Sequence, residues 1–405
     1  MKRLVIPFLL MSGCAFAQDY TRIRSITRDI NQIAVEHSDS VRQLRLNALW
    51  NSLITGNNVP LTDHDSVLFL YRGAGTQVAW RGDFNSWGYN AGNSFTGIHI
   101  PGTDLWMTKA AFPADARLDY KILINNTEWI IDPINPHQQW SGVGGGSPNS
   151  ELRMPNWKPD PVSQLAPAIP QGKVERDILF NSKILNYQIT YSIYYPSNYK
   201  QGNAYGVAYF TDGYEYLHER MGNLQVILDN LIAKQKIKPI IAVLVDHREP
   251  VNRSNNRRMQ ELALNEKYLS FFADELVQQV ESRLQLAVTR NDRAIVGTSM
   301  GGLTAAYFAF ARPGVFSMAG IQSPAFWFKP AIYTFCDQAV NPPVRIFLTT
   351  GTINDAREGS QKMKSILEKN TCTYQYTETN QGHSWGNWRD TVDDILVYFF
   401  SSEKN

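Results

Sequence analysis

The hexapeptide Gly297-Thr298-Ser299-Met300-Gly301-Gly302 lies between the apolar run Ala294-Ile295-Val296 and a segment, 303–311, rich in Ala and Phe. Glycine on both sides of a serine permits a sharp turn from strand to helix that lifts the hydroxyl clear of a sheet. This turn requires a strand and a helix in close contact, so it commits the surrounding chain to layers of sheet and helix. The pattern from 172 onward agrees. Strand-like runs at 174–180, 188–195, 206–210, 240–245, 293–296, 318–321, 344–349 and 373–377 alternate with helical periods at 221–234, 268–284, 303–311, 358–370 and 390–400. Such alternation predicts a mostly parallel sheet covered on both faces, with ligands at the carboxyl ends of its strands.

The first half follows other periods. Apolar residues recur at helical spacing through 20–56, predicting one or two amphipathic helices. Short runs rich in β-branched and aromatic residues follow at 67–71, 76–80, 105–108 and 118–124, the pattern of a small antiparallel sandwich. Period is lost over 141–170, where Gly, Ser and Pro accumulate and a linker is expected. The resulting organisation is a leader at 1–17, a helical segment at 18–60, a small β-sandwich at 61–155, a linker at 156–171 and an α/β-hydrolase unit at 172–405. With 43% hydrophobic residues and 19% charged ones in 405 residues, the chain can fill more than one core.

Lys2 and Arg3 precede an apolar stretch, 4–11, and Ala15-Phe16-Ala17 places small residues where a signal peptidase reads, so an exported protein, periplasmic or secreted, is expected to begin near Gln18. Cys14 offers a competing lipid-attachment reading, which Met11 at the head of the pattern disfavours. No later stretch approaches the roughly 18 apolar residues of a membrane span. Cys336 and Cys372 fit a disulfide or two thiols equally well. A formal charge of +2 lacks the basic excess that nucleic-acid binding requires.

A serine hydroxyl needs an imidazole beside it to attack at neutral pH, and in this fold class the order along the chain is Ser, acid, His. Of the seven histidines only His383 follows Ser299, in Gln381-Gly382-His383-Ser384-Trp385. Asp355 is the preferred acid, reached from the strand 344–349 through Gly351-Thr352-Ile353-Asn354, with Glu358 in reserve. Two backbone donors must hold the oxyanion: the amide of Met300 and that of Tyr214, after Asp212-Gly213 at the end of an early strand.

These motifs, with Arg258, Glu261-Leu262 and the segment 268–276, resemble the esterase D family and its enterochelin-esterase-like group over about 172–400. The front half is similar to that group's early-set sandwich, through Trp80-Arg81-Gly82-Asp83-Phe84-Asn85-Ser86-Trp87 and Ile131-Asp132-Pro133-Ile134-Asn135-Pro136. The resemblance implies a serine carboxylic-ester hydrolase with Ser299, Asp355 and His383 on the triad positions. Its cytoplasmic members lack an export signal, so a periplasmic or surface role is expected here. The substrate is expected to be a siderophore or similar catecholic or aromatic acyl ester. Arg253, Arg257 and Arg258, in a loop that also holds Arg248, with Trp327 and Trp385, are the candidate substrate contacts, since guanidinium groups pair with oxygen anions and stack on rings. The competing view of this loop pairs its arginines with Glu249 and Glu261. Two other functions remain open: a feruloyl or acetyl esterase on plant polysaccharide, whose sandwich would bind sugar through exposed Trp80, Trp87 or Trp106, and an inert binding protein. No metal-ligand cluster or nucleotide loop occurs, so no cofactor is expected.

Overall fold

A computed structural model describes residues 21–402 apart from 58, 90, 91, 93, 143–145 and 340–343. The leader at 1–17 and Cys14 lie outside the described residues. Cys336 and Cys372 are free thiols, Cys336 buried. Among the described residues no helix is long and apolar enough to cross a membrane.

Helices α1 (Thr21–Ala34) and α2 (Asp39–Thr55) open the chain. The sandwich follows as β1 (Leu61–Asp63), β2 (Ser66–Arg72), β3 (Val78–Gly82), β4 (Ile98–His99), β5 (Leu105–Ala111), β6 (Arg117–Ile124), β7 (Glu128–Ile130), β8 (Gln138–Ser141) and β9 (Ser147–Arg153). One sheet runs β1-β2-β5-β4; the other runs β3-β6-β9-β8, with β7 on β6. Strand β2 reads as a continuous apolar run because both of its faces are covered. Val67, Phe69 and Tyr71 enter the core between the sheets, while Leu68 and Leu70 pack with Ile30, Ile33, Leu46 and Leu53 of the two helices. In the inter-sheet core Phe69 lies 5.8 Å from Trp80 and 5.3 Å from Tyr120. Trp80 and Trp106 are therefore core residues, 0% and 6% exposed, and leave no sugar-binding platform on that side.

The linker expected from the loss of period at 141–170 is corrected by β9, which pairs with β6 and β8. Asn149 and Glu151 on one face are polar yet buried, and Ser150, on the core face with Leu152, is polar as well, its Oγ accepting from the Asp132 amide, so no alternation of polar and apolar residues marks the strand in the sequence.

The second unit comprises β10 (Lys173–Ser182), β11 (Tyr187–Tyr195), β12 (Gly206–Phe210), α3 (Gly213–Leu217), α4 (Leu224–Ala233), β13 (Ile240–Asp246), α5 (Arg258–Glu261), α6 (Glu266–Ser270), α7 (Val277–Leu284), β14 (Arg293–Thr298), α8 (Met300–Ala311), β15 (Met318–Gln322), α9 (Ala331–Asp337), β16 (Arg345–Gly351), α10 (Arg357–Lys369), β17 (Thr373–Thr379) and α11 (Trp385–Phe400). A π-helical turn, Phe271–Leu276, joins α6 to α7. The eight strands lie in the order β10-β11-β13-β12-β14-β15-β16-β17, antiparallel as far as β13 and parallel from there on. Helices cover both faces, which is why β13, Ile-Ile-Ala-Val-Leu-Val-Asp, is buried at every position. This is an α/β-hydrolase sheet behind a small all-β sandwich.

The two units meet through Arg117, wholly buried on β6. Its guanidinium donates to Glu151 (2.7 Å) and Asp119 (2.6 Å) within the sandwich and to Ser384 Oγ (3.0 Å) at the head of α11. A side chain at Gly386 would lie 2.1 Å from its Cζ, so a glycine in the first turn of α11 makes room for the contact. Burial alone would lower the Arg117 pKa, but Glu151, Asp119 and Asp390 outweigh it and hold the group charged. Arg117→Met takes the cation from buried Asp119, leaves Glu151 with Arg153 alone, and lowers the unfolding free energy by roughly 3–5 kcal/mol, read from the urea midpoint. A loss no larger than about 1 kcal/mol, the scale of an exposed ion pair, would show that the contact does not hold the units together.

Candidate active site

Strands β12, β14, β15, β16 and β17 all end on one edge of the sheet, and each supplies a polar group there. Ser299 follows β14 directly as the N-cap of α8, with φ 58° and ψ −115°, a backbone setting that non-glycine residues rarely hold. Close packing forces the turn: a side chain at Gly301 would meet Thr211 Oγ1 at 2.2 Å, and one at Gly297 would meet the Gly301 carbonyl at 2.3 Å.

His383 lies in the loop between β17 and α11. Its Nε2 is 3.0 Å from Ser299 Oγ and its Nδ1 is 2.6 Å from Asp355 Oδ1. The Asp355 side chain is wholly buried. Burial would raise its pKa, but the bond to His383, with those from Ser323 Oγ (2.6 Å) and the Gly351 amide (2.5 Å) to Oδ2, holds the carboxyl below the usual range. Trp388 Nε1 donates to Ser323 Oγ at 2.9 Å, and the Trp388 ring stands edge-on to His383 with centroids 5.0 Å apart. Ser323 and Trp388 are missing from the sequence reading. The repeat of Trp385 and Trp388 at helical spacing behind His383 is a usable signal for the latter; Ser323 leaves none.

Met300 and Tyr214 occupy the first turns of α8 and α3, where backbone N–H groups have no acceptor within the helix. Beneath Tyr214 the Asp212 amide donates to His247 Nε2 (3.3 Å), and His247 Nδ1 lies 2.5 Å from Glu261 Oε2. Arg258 donates to both oxygens of Asp212 and to the Thr298 carbonyl, tying the Tyr214 loop to the Ser299 turn.

A cleft of about 490 Å³ opens over Ser299 and His383. Of the candidate substrate contacts, Arg258 and Trp385 line it. Arg253 is instead held by Asp246 and Asp177, and Arg257 donates to Glu249 (2.8 Å) over the Tyr187 ring. Trp327 is 74% exposed and contacts Phe328 outside the cleft lining. Arg248, pinned by Glu215 and Asp246, is buried. The other half of the lining comes from the sandwich and includes Asp83, Trp87, Asp119, Lys121, Trp129 and Asn149. No sequence signal assigns these to the site, because only the docking of the two units brings them there. Among the described residues no group of His, Cys, Asp or Glu could hold a metal ion.

Asp83 is 3% exposed and accepts from Trp87 Nε1 (3.2 Å) and from the Asp119 amide (2.9 Å). Burial first, and then the Asp119 carboxylate, push its acid up to about 7. Between its ordinary value of about 4 and that raised value, the folded chain keeps a proton that the unfolded chain has lost, so stability falls as pH rises through this window and levels off above it. Asp83→Asn removes that fall. Urea unfolding at about pH 5 and about pH 8 should therefore move in the variant's favour at the higher pH, whatever constant cost the amide carries. An unchanged difference at the two values would show that Asp83 titrates normally.

A model of the family described as "Putative esterase" matches residues 182–399. The chain is 24% identical to the uncharacterized protein YjcH of Bacillus subtilis over 238 residues, 56% of this chain and 98% of the relative. It is 26% identical to the iron(III) enterobactin esterase of Escherichia coli O6:H1 over 287 residues, 66% of this chain and 64% of the relative. In fold it is similar to the ferric enterobactin esterase of Salmonella typhimurium, with a TM-score of 0.72 at 19% identity, covering 86% of this chain and 98% of that one. The family match takes in more than half of the 405 residues and the whole of the Ser299, Asp355 and His383 constellation: the chain belongs to this esterase family and is a carboxylic ester hydrolase.

Proposed function

We propose that the chain is an exported serine esterase in which Ser299 is the nucleophile, His383 the base and Asp355 the acid that orients the imidazole. The observation that carries this reading is the unbroken relay from Ser299 Oγ to His383 Nε2 at 3.0 Å and from His383 Nδ1 to Asp355 Oδ1 at 2.6 Å. Ser299 Oγ attacks the ester carbonyl carbon while its proton passes to His383 Nε2. Asp355, kept ionised by its buried donors, stabilises the imidazolium. The carbonyl oxygen takes up the electron pair and is held by the amides of Met300 and Tyr214. When the tetrahedral adduct collapses, the alkoxide leaves with the proton from His383 and an acyl-serine remains. Water, deprotonated by the same nitrogen, then releases the acid.

The substrate is an enterobactin-like siderophore or a similar catecholic or aromatic acyl ester. Four tryptophans, Trp87, Trp129, Trp385 and Trp388, line the cleft, and a relative at 26% identity is an iron(III) enterobactin esterase. Arg248, Arg253 and Arg257 add nothing to this reading, since all three are held in ion pairs and none of them lines the cleft. Export is supported by Lys2 and Arg3 ahead of an apolar run and by Ala15-Phe16-Ala17.

Initial rates on p-nitrophenyl acetate, methyl ferulate and iron-loaded enterobactin test the reading. Ser299→Ala should lower kcat by a factor on the order of 10⁴ or more, and Asp355→Asn by roughly 10³–10⁴ through loss of imidazole orientation. The ester with the largest kcat/KM names the substrate class. Wild-type turnover indistinguishable from that of Ser299→Ala on all three would remove the esterase assignment of this site.

A further inference from the structure

The sandwich does more than cap the sheet, because its outer face forms one wall of the cleft. Trp87 follows Ser86 in a pair of left-handed residues, at φ 50° for Ser86 and φ 57°, ψ 25° for Trp87. A bulky aromatic in that region is strained, and such strain persists only where surrounding contacts impose it. Asp83 supplies them: its carboxylate accepts the indole N–H at 3.2 Å, and its carbonyl in turn accepts from Asn354 Nδ2 of the hydrolase unit at 2.9 Å. The half-buried indole is thus fixed beside the His383 loop as part of the lining.

Asp119, Lys121 and Leu123 share the outward face of β6 at alternate positions. Trp129 pairs with Leu123 from β7, which makes it the diagonal neighbour of Lys121, and it is 46% exposed at the cleft rim. Of the two long cations in the lining, Arg258 is tied to Asp212, whereas Lys121 has no carboxylate partner among the described residues. Three of the lining carboxylates are paired, Asp119 with Arg117, Asp212 with Arg258 and Glu215 with Arg248, while Asp83 accepts from Trp87 Nε1 and the Asp119 amide.

We propose that Trp87, Lys121 and Trp129 form a specificity subsite, contributed by the sandwich, that binds an aryl group carrying electron-rich oxygen substituents on the ester substrate. The indole faces take the ring, and the Lys121 ammonium takes its phenolic oxygens. The inference rests on the esterase reading of the Ser299 site and deepens it, since it names what the wall opposite Trp385 recognises.

Three esters with one scissile bond and different amides separate the possibilities: the methyl esters of N-acetylserine, N-benzoylserine and N-(2,3-dihydroxybenzoyl)serine. The wild type should favour the aryl esters. Trp87→Ala and Trp129→Ala should lower kcat/KM on them by about tenfold while changing the N-acetyl ester by less than about twofold, with Trp87→Phe recovering most of the loss. Lys121→Met should weaken the dihydroxybenzoyl ester by about fivefold and leave the benzoyl ester nearly unchanged. Because Trp129 is half exposed, its variant folds even if Trp87→Ala does not. Equal losses on all three esters would assign the wall a structural role through Asp83, and no loss on any would place the ring elsewhere; either overturns the subsite. p-Nitrophenyl acetate keeps the two readings apart. If the wild type cleaves it and the serine esters do not discriminate, only the subsite fails. If the wild type cleaves none of the four, the esterase reading fails first.

Discussion

One buried cation sets the geometry on which the site depends. Arg117 projects from the sandwich, is paired with two carboxylates of its own unit, and turns Nη1 on Ser384, the residue after His383. Isolated burial of a guanidinium is costly, so the three partners must be present together, and that fixes the sandwich against the loop carrying the imidazole. The Arg117 amide also donates to the Asn380 carbonyl at 3.3 Å, while Asn380 Nδ2 reaches Asp115 at 2.8 Å. The histidine loop is thus braced from outside its own sheet, and the serine and aspartate meet an imidazole whose position another unit helps to set.

Much of the catalytic unit was legible because burial on both faces leaves a plain trace. Strand β13 and the parallel strands beside it are short apolar runs, and Ser299 could be placed from three glycines and its neighbours alone. His383 followed from chain order. The boundaries slipped where side chains serve more than one purpose: α11 begins at Trp385, against an expected start near 390, since its first turn, Trp385-Gly386-Asn387-Trp388, is spent on the site and on Arg117. Strand β9 was hidden by its polar run Asn149, Ser150 and Glu151, all of it buried.

The arginine loop illustrates the other limit. Clustered cations at the active edge suggest an anion site, but composition cannot show which carboxylates come to meet them. Asp246, Asp177, Glu249, Glu215 and Asp212 arrive from separate strands and loops and absorb the charge. What remains facing the cleft is more aromatic than basic, a character shared between Trp87 and Trp129 of the sandwich, 170 positions or more ahead of Ser299, and Trp385 and Trp388 behind it.

The backbone at Ser299 is a liability to the folded state. A left-handed φ at a residue with a side chain costs of order 1–3 kcal/mol, and a glycine would adopt it without penalty. Ser299→Gly would release that strain, so the turn that holds this hydroxyl over the cleft is one the fold maintains at a cost to its own stability.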